Sequence, residues 1–216
     1  MRKLFYLGLM LTLVVSCKEK EDQTPVDPSV VSDYMPMKTG NYWVYAHYDI
    51  DSAGNVTSTG RTDSVTITRD SMINGKQYFV FEGTNYPYNA NWGIVDILRD
   101  SSGYLVNGNG IIRFSENNFT DILSSKTEVI GNDTLYTLNY KMERPSGTIT
   151  VPAGVFGALN CKGTVTTTQN IPGIPNPRYL NTYYADNVGK IVETYFFLFH
   201  PVISEKRLVR YQAGTE

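Results

Sequence analysis

Residues 62–83 read TDSVTITRDSMINGKQYFVFEG. Before Asn74-Gly75, Val65 and Ile67 fall on one face of an extended chain. After it, Tyr78, Phe79, Val80 and Phe81 are apolar without a break. A period of two belongs to a strand and not to a helix, and Asn-Gly between two such runs is the chemistry of a two-residue hairpin turn. The same pattern continues along the chain. NYWVYAHYDI (41–50) is aromatic and β-branched, GIVDILRD and GYLVNG flank the turn sequence RDSSGY, and TLYTLNYKM alternates. In the last of these, Tyr136, Leu138, Tyr140 and Met142 share one face, and Thr137, Asn139 and Lys141 the other. GTVTTTQN, RYLNTYYAD, GKIVETYFFLF and EKRLVRYQ complete about ten to twelve strands. SENNFTDILSS (115–125) is the one stretch expected to form a short helix. The expected class is all-β and antiparallel.

Two kinds of strand coexist. YWVY, YFVF and YFFLF are apolar on both faces and should be central and covered; the others are apolar on one face and should be half wet. A flat single sheet cannot supply both environments. A single, strongly curved sheet wrapped around its own core can, and so can the alternative, a two-layer β-sandwich. Residues 34–216 are enough for one well-filled domain.

The chain begins differently. Met1, Arg2 and Lys3 form a short positive start, and residues 4–15 are an almost unbroken apolar run of twelve. Twelve helical residues reach about 18 Å, short of the ~30 Å needed to span a bilayer core, so residues 1–16 read as an export signal. Val14-Val15-Ser16-Cys17 resembles the lipobox of bacterial lipoproteins. That resemblance implies cleavage before Cys17 and attachment of acyl chains to it, and two or more chains anchor stably. Residues 17–33 then read as the lipidated cysteine and a flexible tether, rich in charge and proline, spanning roughly 20–25 Å. Lys18, where Asp would resemble an inner-membrane retention signal, and the charged cluster after it point to a lipid anchor in the outer membrane, on its periplasmic or surface-exposed face.

The domain itself carries a second resemblance. MPMKTGNYWVY resembles the PL-x-G-x-YW-Y opening of Bacteroidetes-type envelope lipoproteins, VPAGVFGALNCKG their VPAGTF-x-x-V segment, and YYADNVGKIVE their WYA-x-GVG-x-V segment. These families are similar to the half-open barrel of LolA-like lipoprotein carriers. The resemblance implies a LolA-like curved sheet and implies no particular activity.

Composition and motifs exclude several chemistries. Cleavage before Cys17 leaves 17 basic against 21 acidic residues, a net charge of −4, and no basic patch for nucleic acid. Cys161 is then the lone thiol, expected to be buried and structural. DIDSAGN (49–55) lacks the ligand oxygens and the glutamate of a calcium loop and reads as a turn; NGNG (107–110) reads as a turn and not a phosphate loop. His47 and His200 are isolated, and Glu82 and Asp96 are the carboxylates one would weigh for glycoside hydrolysis. No catalytic residue, metal site or cofactor is assigned. The expected role is a non-enzymatic binding or structural one, with a glycan or an apolar ligand as alternative partners. The candidate ligand-binding residues are Tyr86, Tyr88 and Trp92, in the Asn-rich segment GTNYPYNANWG, where flat aromatic faces suit sugar stacking.

Overall fold

The computed structural model describes residues 33–145 and 147–214. The signal segment 1–16, Cys17 and the tether up to residue 32 lie outside the described residues. Asp33 is docked on the domain: its N–H donates to Asp186 Oδ1 at 2.9 Å and its carbonyl accepts from the Asn187 N–H.

The described chain forms thirteen strands and no helix. β1 (Tyr42–Ile50), β2 (Val56–Ile73), β3 (Lys76–Asn85), β4 (Asn89–Asp100), β5 (Tyr104–Asn107) and β6 (Ile112–Ser115) run as one antiparallel meander. β7 (Ser124–Ile130), β8 (Asp133–Glu143), β9 (Thr148–Val151), β10 (Gly154–Thr167), β11 (Arg178–Ala185), β12 (Gly189–Tyr195) and β13 (Ile203–Gln212) follow. All but β9 form a second meander, which meets the first where β13 pairs with β1; β9 pairs only with the start of β10. The result is a single sheet, nearly closed into a barrel, with one unsealed seam between edge strands β6 and β7. The sandwich alternative is not what forms.

Local chemistry sets the hairpins. Asn74 and Gly75 both adopt positive φ, 51° and 73°, joining β2 to β3 by two residues as the Asn-Gly sequence demands. Asp51 Oδ1 accepts the N–H groups of Ala53 and Asn55, each at 2.9 Å, so DIDSAGN spends its carboxylate on its own turn. Asn107 Oδ1 does the same for Asn109 and Ile111 in NGNG.

Three expectations are corrected. Residues 116–123 are not helical: Ser115 Oγ captures the N–H groups of Asn117 and Asn118, and Asn118 Oδ1 those of Thr120 and Asp121. These side chains take the donors that a helix would need. YFFLF is not a covered strand. β12 ends at Tyr195, and Phe197 and Phe199 are exposed. The Arg178 guanidinium bends this segment into a loop by donating to the carbonyls of Phe197, His200 and Val202 while stacking on Phe196 at 3.7 Å. Finally, GTNYPYNANWG is mostly strand, with only residues 86–88 forming the β3–β4 tip.

The end of the barrel near the start of β1 is filled. Trp43, Ile67, Phe81, Leu98, Met142 and Leu208 are all buried there, each contributing roughly 1.5–3 kcal/mol by leaving water. Trp43 stacks on Phe81 and donates from Nε1 to the Val188 carbonyl at 2.6 Å. The β5–β6 hairpin covers this end, with Phe114 against Tyr34 and Tyr184. The β9–β10 hairpin covers it too, with Phe156 on Tyr211 and the Ala153 N–H on the Leu208 carbonyl. The predicted alternation of β8 is observed at its end, where Met142 is buried, Tyr140 packs on the core and Lys141 is exposed, whereas residues 136–139 are all half-buried.

Candidate functional site

Alternation along β1 sends Trp43, Tyr45 and His47 inward, from the filled end toward the opposite one. Cross-strand register then fixes what His47 meets. It lies opposite Lys206 on β13, Lys206 lies opposite Glu193 on β12, and Glu193 lies opposite Thr182 on β11. Such neighbours stand about 4.5–5.5 Å apart, so one row of the inner wall is polar and charged where the rows nearer the filled end are apolar.

A β-bulge completes the row. The register between β11 and β12 shifts at Tyr183/Tyr184, which leaves Ile191 as the extra residue on β12. Without it, Lys190 and Glu193, three apart, would face opposite sides of the sheet. With it both face inward and pair at 3.2 Å. Lys206 continues the chain of charges, 3.8 Å from Glu193 and 3.3 Å from Asp63, and it also donates to Asn85 Oδ1.

Asp63 closes the ladder. Its Oδ2 accepts from His47 Nε2 at 2.8 Å and from the Tyr86 N–H at 3.1 Å. Burial works against its charge, but the hydrogen bonds from His47 and Thr84 and the charge of Lys206 outweigh it and bring its pKa down to about 2. An ionised Asp63 can only accept, so Nε2 of His47 carries a proton, and Nδ1 hydrogen-bonds with the Tyr195 hydroxyl, 3.0 Å away. Both ring nitrogens are used, and His47 is fully buried.

Inside the charged row lies a cavity of about 340 Å³, within the range of roughly 300–1,000 Å³ common for small-molecule sites. Its floor is Trp43, Phe81 and Leu98, its walls carry Tyr45, Tyr140, Tyr184, Lys190 and Glu193, and it reaches Asp96 and Arg113 on one side of the seam and Ser124 on the other. Lys190 and Glu193 keep 27% and 32% of their side-chain surface although they lie deep in the barrel, so that surface faces the cavity. Burial pulls against both charges. Mutual attraction prevails, raising the Lys190 pKa and lowering that of Glu193. For Lys206, loss of water prevails over Glu193 and Asp63, and its pKa falls. Burial raises Asp96, and it pushes the Cys161 thiol and the Tyr140 phenol each up to about 12.

The three aromatic candidates separate. Tyr86 turns inward, edge-on to His47 and Tyr195 and covered by the Arg61 guanidinium at 4.0 Å. Tyr88 lines the cavity while remaining 75% exposed. Trp92 lies on β4, 58% exposed and outside the cavity lining. Glu82 and Asp96 occupy opposite faces of the sheet, because Asp96 stands opposite inward Phe81, and Glu82 faces outward to pair with Arg69. Cys161 is buried. His200 sits in the exposed loop with Nδ1 accepting from the Val202 N–H.

The charged ladder was not among the residues singled out in the sequence. Two signals for it were present. Lys206 shares a face with Leu208 in EKRLVRY, and His47 shares one with Trp43 and Tyr45; each puts a polar group on an apolar face.

Among solved structures, the chain matches a candidate exported protein with a YmcC-like fold from Bacteroides fragilis. The TM-score is 0.52 at 14% identity, over 84% of this chain and 100% of that one. A candidate lipoprotein from Parabacteroides distasonis matches with a TM-score of 0.44 at 14% identity, over 85% and 100%. The first likeness shows a shared fold, and its name is YmcC-like where LolA-like was expected. No family model and no curated protein matches the chain.

Proposed function

We propose that the domain is a non-catalytic binding module of the cell envelope, held at the outer membrane through a lipidated Cys17, that takes a small polar ligand into its barrel. The observation that carries this is the cavity with its charged wall. Were the interior only structural, apolar side chains would fill it at lower cost, since desolvating an ion pair offsets most of its attraction. An apolar cargo is disfavoured by the same wall, where Lys190 and Glu193 would lose water and gain no partner. The non-catalytic reading is supported by a His47 with no accessible nitrogen and a Cys161 held protonated by burial. Placement in the envelope rests on the signal and Cys17, and is supported by the exported character of the Bacteroides fragilis protein that shares the fold.

The test is thermal melting of the detergent-solubilised mature protein against panels of small polar metabolites, fatty acids and oligosaccharides. A ligand at a hundredfold its Kd adds about 2.7 kcal/mol, which is several degrees in Tm for a chain of this size. Stabilisation by fatty acids alone, or by no panel member, would sink the proposal. A glycan contacted from outside remains the second reading, favoured by the exposure of Tyr88 and Trp92. It predicts that Trp92→Ala weakens oligosaccharide binding, which a ligand inside the barrel would not feel.

A further inference from the structure

Most charged groups facing the cavity already answer one another. Lys206 is engaged by Asn85, Asp63 and Glu193 and is only 5% exposed, and Asp63 Oδ2 is engaged by His47, Tyr86 and Lys206. Lys190 and Glu193 answer each other. Two groups remain. Arg113, on edge strand β6, lines the cavity at the seam, is exposed, and makes no hydrogen bond or ion pair among the described residues. Asp96 lines it from β4 with no cation within ion-pair distance; burial raises its pKa, and the charges of Arg113 and Lys190 pull the other way.

The hydrogen-bonding inventory points the same way. The phenols of Tyr140, Tyr184 and Tyr88 line the cavity, have no hydrogen-bond partner among the described residues, and can each donate to a ligand oxygen. The Lys190 ammonium offers three N–H donors, and Glu193 engages it through one carboxylate oxygen.

Resting on the reading of the cavity as a ligand site, we infer that its ligand is an aromatic or similarly flat molecule carrying one oxyanion. The anion sits between Arg113 and Lys190, and the body lies against Tyr140, Tyr184 and the Trp43–Phe81 floor. A guanidinium with a free fork matches a carboxylate or phosphate in two parallel bonds, and the surrounding aromatic faces suit a flat apolar body. The position of Arg113 at the seam makes the seam the entrance for the charged end.

The test uses the mature protein in detergent and four matched probes: benzoate, phenyl phosphate, benzamide and benzylamine. The readouts are Trp43 fluorescence in a Trp92→Phe background and calorimetry. Benzoate or phenyl phosphate should bind at least tenfold tighter than benzamide, with benzylamine weakest, and the stronger of the two anions tells carboxylate from phosphate. Arg113→Gln, on an exposed edge where folding is not at stake, should weaken the anion tenfold or more while leaving benzamide unchanged, and Arg113→Lys should restore part of the loss. Benzamide or benzylamine binding as tightly as the anions, with the Trp43 signal intact, would overturn the anion assignment and leave the cavity a ligand site. No Trp43 response to any probe would overturn the assignment and count against the cavity reading as well.

Discussion

The Asp63 carboxylate is the group whose removal the fold should feel most. It accepts from a fully buried His47, from the Tyr86 N–H at the β3–β4 tip and from Lys206, so three elements converge on it. A carboxyl held at about 2 in the folded protein against an ordinary value of 3.8 contributes roughly 2–3 kcal/mol at neutral pH. The sign follows from the lowered pKa. The contribution is whole above about pH 5, fades as pH falls through the ordinary value of 3.8, and is gone below about 2. Asp63→Asn keeps the shape but removes the charge, leaving Lys206 underpaired and one amide donor facing other donors. The expected loss is about 3 kcal/mol, rising toward ~5 for Asp63→Ala, which abandons a buried cation. Urea unfolding of parent and Asp63→Asn from pH 2 to 7 measures this. The parent's advantage should shrink steadily between pH 5 and 2 and be nearly flat from 5 to 7. A variant within 1 kcal/mol of the parent at pH 7, or one with the parent's full acid dependence, would refute the role given to Asp63.

Three further outcomes are expected. Trp43→Ala should cost about 3–5 kcal/mol of stability and Trp92→Ala less than about 1, because one is buried in the core and the other lies open on β4; equal losses would contradict the placement. Gly163→Ala should destabilise by roughly 1–3 kcal/mol, since its new Cβ would lie 2.8 Å from the Tyr140 ring and 3.2 Å from the Leu180 Cβ, and a neutral effect in chemical unfolding would show that wall to be slack. Cys161 should resist thiol reagents at pH 8 in the folded protein and react fully in urea, with rapid labelling of the native chain counting against its burial.

The parts legible in the sequence are those whose cause is local. Asn74-Gly75 sets its hairpin by its own dihedral preferences, and the exposed Lys141 beside the buried Met142 on β8 follows from alternation. The failures have causes distant in sequence or hidden in register. FFLF reads as a strand until Arg178, on a different strand, gathers the carbonyls of Phe197, His200 and Val202. SENNFTD reads as helical until its own Ser115 and Asn118 take the backbone donors. The candidate site was the least legible. Lys190 and Glu193 read as opposite faces because alternation knows nothing of the extra Ile191, and the meeting of His47, Asp63, Glu193 and Lys206 depends on β1 pairing with the last strand of the chain. Tyr86 drew attention for composition suited to a surface, yet its ring closes over His47 and its N–H ties Asp63.

The central claim is that the barrel interior is a chamber for a ligand and not a core left partly unfilled. Native mass spectrometry of the mature protein purified from its own membrane tests this most directly, alongside a Thr182→Phe variant that places a ring in the cavity. The account predicts a small-molecule adduct of a single mass on the parent that is absent from Thr182→Phe, with the variant still folded by circular dichroism. A parent that carries no adduct and takes up none from envelope extract, beside a Thr182→Phe protein more stable than the parent, would contradict it and make the cavity a packing defect.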